Sequence, residues 1–274
     1  MKTPFVQTVV ALALATLSMQ AIAHRPWLLP STTFVENKDP WVTIDAAISE
    51  QLFELDHIPL KLDGAAVIGP DGAAGALPAI TAGKLRNTFD LNMKQAGTYK
   101  VSLVTQSVMA SYKEGGEIKR FRGTEETFAK EVPANAPELR ATFQHARLET
   151  FVTANKATDG AFKPSGSGLE LVPLTHPTEM RVGETAKWRF LLDGKPAANL
   201  PFSLVPGGVR YRGTINEIRL TTDVKGEAVV KVPMAGMFWV NAAFPAGLGK
   251  GQPVDGPAML RRFSYAATVE VLPE

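Results

Sequence analysis

From residue 41 onward, apolar and polar positions alternate along the chain with a period of two. Over residues 41–48, Val42, Ile44, Ala46 and Ile48 fall on one face, with Thr43 and Asp45 on the other. Tyr99, Val101 and Leu103 alternate with Lys100 and Ser102 in the same way, and Trp188, Phe190 and Leu192 share one face of residues 187–192. Successive side chains of a strand point to opposite faces, so this pattern predicts half-buried antiparallel strands. Asp63-Gly64, Pro70-Asp71-Gly72, Asp193-Gly194, Gly207-Gly208 and Lys225-Gly226 supply turns between them. Helical periodicity is scarce; its best stretch is residues 137–147, where Pro137 suits a first helical position and Glu138 the first turn. Short strands separated by Gly and Pro predict an all-β chain of β-sandwich type.

Residues 156–168 are polar and rich in Gly, Ser and Pro, and they read as a linker. The chain then divides into a β-rich domain over residues 24–155 and an immunoglobulin-like β-sandwich over residues 169–274. In the second, residues 217–223, the Lys225-Gly226 turn and residues 227–232 have the grammar of a hairpin, with Ala228, Val230 and Val232 inward. Phe238 and Trp239 read as core. Residues 1–23 read as a cleaved signal peptide. Lys2 gives its charge, Phe5 begins the apolar run, and Ala21-Ile22-Ala23 places small side chains where signal peptidase needs them. No later stretch approaches the ~20 apolar residues of a transmembrane helix. The mature chain is expected to be soluble and periplasmic, without a membrane span.

Composition removes several classes of function. The sequence has no cysteine, which excludes thiolate metal sites, disulfides and cysteine nucleophiles and suits an oxidising compartment. The formal net charge is +2, with both signs mixed along the chain, unlike the concentrated basic stripe of a nucleic-acid binder. No G-x-S-x-G elbow, HExxH helix or phosphate loop is present. Lys119-Arg120-Phe121-Arg122 and Arg261-Arg262 read as solvated surface.

The chemistry that remains belongs to four histidines. Cleavage after Ala23 makes His24 the first residue, whose α-amine and imidazole Nδ1 can chelate one cation together. An α-amine pKa of about 8 makes the required proton loss easy for a metal to drive. His57 lies in Phe53-Glu54-Leu55-Asp56-His57, where Asp56 and Glu54 offer oxygen ligands or acceptors for a ring N–H. His24, His57 and one carboxylate form a nitrogen–oxygen set suited to Cu(II), Ni(II), Co(II) or Zn(II). His176 precedes Pro177 at the entry to the second domain, a position that is commonly structural, and His145 has little to mark it as a ligand.

Several stretches resemble the domain-of-unknown-function family 4198. They include His24-Arg25-Pro26-Trp27-Leu28-Leu29-Pro30-Ser31, the segment from Phe53 to His57, Leu171-Val172-Pro173-Leu174-Thr175-His176-Pro177, Val205-Pro206-Gly207-Gly208-Val209-Arg210-Tyr211-Arg212 and Arg261-Arg262-Phe263-Ser264-Tyr265. The resemblance spans essentially the whole mature chain. It implies a periplasmic component of nickel or cobalt uptake with no catalytic machinery, and it places His24, Asp56, His57 and His176 in recurring motifs. The leading expectation is therefore a non-enzymatic protein that binds a divalent transition metal (nickel, cobalt or copper) through His24, His57, Asp56 and His176. It would supply the metal ion to a membrane transporter or receive it from an outer-membrane receptor. Two other readings stand beside it: a non-catalytic interaction module for such a receptor or transporter, and a copper-dependent oxidative enzyme built on the N-terminal histidine chelate.

Overall fold

A strand must pair its backbone N–H and C=O groups with neighbours while burying at least one face, and among the described residues the alternating segments meet both demands by forming three sheets. The computed structural model describes residues 24–246 and 258–274; the expected leader, residues 1–23, lies outside them. The first half contains β1 (Arg25–Pro30), β2 (Phe34–Val35), β3 (Trp41–Ser49), β4 (Ile58–Pro59), β5 (Ala66–Ile68), β6 (Ala74–Ala76), β7 (Thr81–Ala82), β8 (Asn87–Asn92), β9 (Gly97–Glu114), β10 (Glu117–Gly123), α1 (Glu125–Glu131) and β11 (Arg140–Ala154). The second contains β12 (Leu169–Pro173), β13 (Thr185–Leu192), β14 (Lys195–Pro196), β15 (Pro201–Pro206), α2 (Val209–Arg212), β16 (Ile218–Thr221), β17 (Glu227–Lys231), β18 (Gly236–Phe244) and β19 (Met259–Val271).

The fold is all-β, and its two sandwiches share their middle layer. A first sheet runs β1-β3-β8-β7, with β4 also on β3. A third runs β12-β13-β14, with β17 also on β13. Between them lies a ten-stranded sheet, β16-β15-β18-β19-β11-β9-β5-β6, carrying β10 and β2 on its flanks. Alternation shows how one sheet serves two cores. In β11, Leu148, Val152 and Ala154 join the core against the first sheet, whereas Phe151 joins the core against the third. In β18, Trp239 faces the first core while Phe238, Val240 and Ala242 face the second. A strand covered on both faces loses its solvent-facing side, and every residue from Leu148 to Ala154, Glu149, Thr150 and Thr153 included, is accordingly buried.

Four expectations change in this light. Residues 156–168 form a packed segment rather than a free linker: Gly160–Phe162 makes a 3₁₀ turn with Ala161 and Phe162 buried. A Cβ on Gly160 would lie 1.9 Å from the Pro70 carbonyl oxygen, so the turn sits directly on the first half's backbone. The two halves are also joined by the parallel pairing of β11 with β19, from Ala141↔Met259 to Thr150↔Thr268. Residues 140–147 are strand, not helix, because β9 and β19 flank them and tertiary pairing overrides a weak local preference. The helix forms at Glu125–Glu131, where Thr124 and Thr127 make a reciprocal capping box. Finally, the turn before Gly226 closes like a hairpin, with Asp223 N–H donating to the Glu227 carbonyl at 2.7 Å. Yet β16 pairs β15 in the middle sheet while β17 pairs β13 in the third, so this connection crosses between layers.

The polar faces of β9 and β11 also differ from the half-buried reading. Lys100 and Ser102 are buried, and they point with Arg147 and Glu149 toward the third sheet. Glu149 is 1% exposed and sits at the centre of this group. Its carboxylate accepts from Ser102 Oγ at 3.1 Å and Tyr265 OH at 2.9 Å, and lies 3.4 Å from Arg147 and 3.6 Å from Lys100. Arg147 reaches on to Glu170 of β12 at 3.4 Å. Burying these charges is tolerated because each faces an opposite charge, and Glu149, Arg147 and Glu170 are hydrogen-bonded as well. The group ties the middle sheet to the third.

Candidate metal centre

The position of His24 follows from how β1 is held. Trp27, 1% exposed, donates its indole N–H to Ser49 Oγ on β3 at 2.8 Å. Trp239 of the middle sheet donates to the Pro26 carbonyl at 3.0 Å, and the Arg25 guanidinium donates to the Glu50 carbonyl at 2.9 Å. The antiparallel register runs from Arg25↔Ser49 to Pro30↔Ile44. One step further, it sets His24 opposite Glu50. On the other side of β3, Ile58 pairs with Ile48, which sets His57 opposite Ser49. Two strands flanking β3 therefore deliver one imidazole each to the same end of the sheet.

The loop between β3 and β4 makes that delivery possible. Both Asp56 carboxylate oxygens accept backbone N–H groups, from Glu50 and Gln51, at 2.9 Å each. Glu54 N–H donates to the Gln51 carbonyl at 3.0 Å. Phe53 holds a left-handed backbone at φ 63°, a conformation that costs about 1 kcal/mol or more for a non-glycine residue. Its ring packs edge-on against Trp27 at 5.7 Å, which offsets that cost.

The outcome is a close pair. The His24 and His57 rings stack with centroids 4.0 Å apart and planes inclined by 13°. Glu50 Oε1 lies 3.6 Å from His24 Nε2, and the side chains of His24 and Glu50 are 37% and 52% exposed. Imidazole lone pairs lie in the ring plane and bind metal at about 2.0–2.1 Å. Two parallel planes 4 Å apart cannot both contain one ion at that distance, so joint ligation needs one ring to turn. The terminal torsion of histidine is broad, and the exposed His24 side chain has room to move. Among the described residues, no three His, Asp or Glu side chains already converge in metal-holding geometry.

The other two sequence candidates stand elsewhere in the arrangement. Asp56 spends both oxygens on the loop backbone, which makes it a positioning residue for His57. His176 is engaged through both ring nitrogens in the second half. Nδ1 accepts from Thr178 N–H at 3.3 Å and lies 3.0 Å from Thr178 Oγ1, while Nε2 lies 2.9 Å from Thr98 Oγ1. Thr98 and Thr178 each bond Thr153 Oγ1, closing a buried ring of hydroxyls around the imidazole. Burial holds the His176 imidazole below its ordinary value, with Glu179 opposing that shift. A neutral, fully bonded imidazole of this kind is a structural group, so His176 leaves the expected ligand set. Glu50 takes its place beside His24. No local motif marks Glu50; only the register of β1 on β3 brings it there.

A family model described as "Domain of unknown function (DUF4198)" matches residues 21–245. The chain belongs to the DUF4198 family. No curated protein matches this DUF4198 chain. Among solved structures it is similar to the D0-D1 domain of intimin, at 14% identity and TM-score 0.22, covering 89% of this chain and 97% of that one. It is similar also to the human OSCAR ligand-binding domain, at 14% identity and TM-score 0.19, covering 82% and 92% respectively. A third likeness is to trypsin-activated alpha-2-macroglobulin from Escherichia coli, at 14% identity and TM-score 0.23, over 90% of this chain and 16% of that one. With TM-scores this low, none of these likenesses carries a functional argument. Among the described residues of this DUF4198 protein, no helix is long and apolar enough to cross a membrane.

Proposed function

We propose that this DUF4198 protein is exported to the periplasm, where it binds a divalent transition metal, nickel, cobalt or copper, for uptake or delivery, and acts without catalysis. The observation that supports this reading is the meeting of His24 and His57 at 4.0 Å with the Glu50 carboxylate 3.6 Å from His24. These residues come from three segments, the start of β1, the end of β3 and the start of β4, which strand pairing brings to one exposed edge. Removal of residues 1–23 would add the α-amine of His24 beside its own ring. The donor set is then an amine, two imidazoles and a carboxylate, with one ring turning out of the stack as the ion enters. Nitrogen and oxygen donors of this kind follow the usual affinity order, in which Cu(II) leads Ni(II) and Co(II). A transporter or receptor that takes the ion would read the exposed rim around Glu50.

The test is calorimetric titration of protein beginning at His24 with Ni(II), Co(II), Cu(II) and Zn(II), repeated with His24→Ala, His57→Ala and the double variant. Each single change should weaken binding at least about tenfold, equivalent to about 1.4 kcal/mol. A double variant that binds all four ions as tightly as the parent would overturn the reading.

A further inference from the structure

Where β9, β11 and β19 run beyond the cover of the third sheet, Gln106, His145 and Phe263 stand side by side, since His145 pairs with Gln106 on one flank and with Phe263 on the other. They form the floor of a cavity of about 270 Å³. One wall is the pair of Glu125, at the start of α1, with Arg261, whose guanidinium donates to both carboxylate oxygens at 2.8 and 3.0 Å. The facing wall is the Asp193 turn together with Ser167. Gly168 lets that wall close down on the floor, because a Cβ there would lie 2.5 Å from the His145 ring.

Three features define what would fit. His145 lines the cavity, and among the described residues its buried Nε2 has no hydrogen-bond partner, a state that is destabilising. The lining contains two acidic side chains, Glu125 and Asp193, and two basic ones, Arg261 and Arg262, so it presents no net charge to a ligand. Burial keeps the imidazole below its ordinary value, the neighbouring Arg147 charge adding to the effect, and a neutral ring offers one donor and one acceptor. Amides at Gln106 and Gln144 and the Ser167 hydroxyl likewise both donate and accept, while Phe263 gives an apolar surface next to them.

We propose that this cavity is a binding site for a neutral, polyhydroxylated small molecule of monosaccharide size. Vicinal hydroxyls both donate and accept, which matches the mixed lining, and the C–H face of a sugar ring matches Phe263. The volume, just under that of drug-sized ligand pockets, suits a single sugar ring. The site lies on the middle sheet, apart from the His24–His57 edge of the first sheet, and stands independently of the metal reading.

Saturation-transfer NMR and calorimetry on protein lacking residues 1–23 provide the test, with D-glucose, D-galactose and N-acetyl-D-glucosamine as neutral probes and D-glucuronate and D-glucosamine as charged ones. At least one neutral probe should bind with a dissociation constant on the order of 1 mM. Gln106→Ala and His145→Asn should each weaken it about fivefold or more. Gln106 is exposed, so its replacement leaves the fold intact and keeps the test valid if the His145 variant unfolds. No saturation transfer to any neutral probe at about twenty times that concentration would overturn the proposal. So would tighter binding of a charged probe, or neutral-probe binding that Gln106→Ala leaves unchanged.

Discussion

Replacing Asp56 with alanine separates a positioning role from a ligating one. The carboxylate accepts the N–H groups of Glu50 and Gln51 at 2.9 Å each, and these bonds fold the loop so that His57 enters β4 beside His24. Hydrogen bonds to a charged group contribute about 1.5–3 kcal/mol when buried. Here the loop is exposed and water can replace the acceptor, so about 1 kcal/mol per bond is the appropriate scale, or about 2 kcal/mol for the pair. That loss raises the population of the opened loop about thirtyfold. Amide hydrogen exchange in metal-free protein reads it directly, because local opening governs exchange at such sites. The Glu50 and Gln51 amides should exchange about thirtyfold faster in Asp56→Ala and to a smaller extent in Asp56→Asn, which keeps an uncharged acceptor. Metal affinity should fall only as far as the closed fraction itself falls, because only the closed loop offers His57 to the ion. Unchanged exchange at both amides, combined with weakened metal binding, would refute the positioning argument and return Asp56 to the ligand set.

Other parts of the account are open to similar checks. Glu149→Ala strands the buried Lys100 charge and leaves Arg147 with Glu170 as its remaining carboxylate; it should cost about 3–5 kcal/mol and lower the melting temperature by about 10 °C, and a shift near zero would show that the buried group does not tie the layers together. Gly160→Ala forces a Cβ to 1.9 Å from the Pro70 carbonyl, and chemical denaturation should show a loss of about 2 kcal/mol or more; a silent substitution would mean that residues 156–168 are a free linker after all. The folded-state imidazole of His176 lies below its ordinary value through burial, so the folded protein binds fewer protons than the unfolded chain. Its stabilising contribution is complete above about pH 6.5 and declines as pH falls below that value. Melting curves from pH 7.5 to 5 should therefore drop less steeply for His176→Gln than for the parent, and parallel slopes would count against the buried hydroxyl ring.

Much of the fold was legible from alternation alone. Val42, Ile44 and Ala46 are buried as their pattern predicts, and so are Trp188, Phe190, Ala228 and Val230. What alternation could not show is which sheet a strand joins. Lys100 and Ser102 look like a solvent face in sequence, yet they are buried, because period two gives two faces without saying that a third layer covers the second. The same gap turned a well-formed turn at Asp223–Gly226 into a supposed hairpin. For the site, His24 and His57 carried visible chemical signals, one from the Ala-x-Ala motif ahead of it and one from its acidic neighbours. Glu50 carried none, since its relation to His24 exists only once β1 lies antiparallel on β3. Asp56 and His176 are hard to assign from sequence for a shared reason: ligand-type side chains also serve as loop acceptors and buried hydrogen-bonding groups, and only partners distinguish the roles.

The most direct measurement compares Cu(II) and Ni(II) titrations of protein whose first residue is His24 with those of protein carrying one glycine ahead of it. The extension converts the α-amine into an amide nitrogen while leaving β1, Glu50 and His57 in place. The account predicts that the extended protein keeps its melting temperature in the absence of metal and loses at least about tenfold in affinity for both ions. Equal affinity in the two proteins would contradict the claim that a free His24 terminus grips the cation.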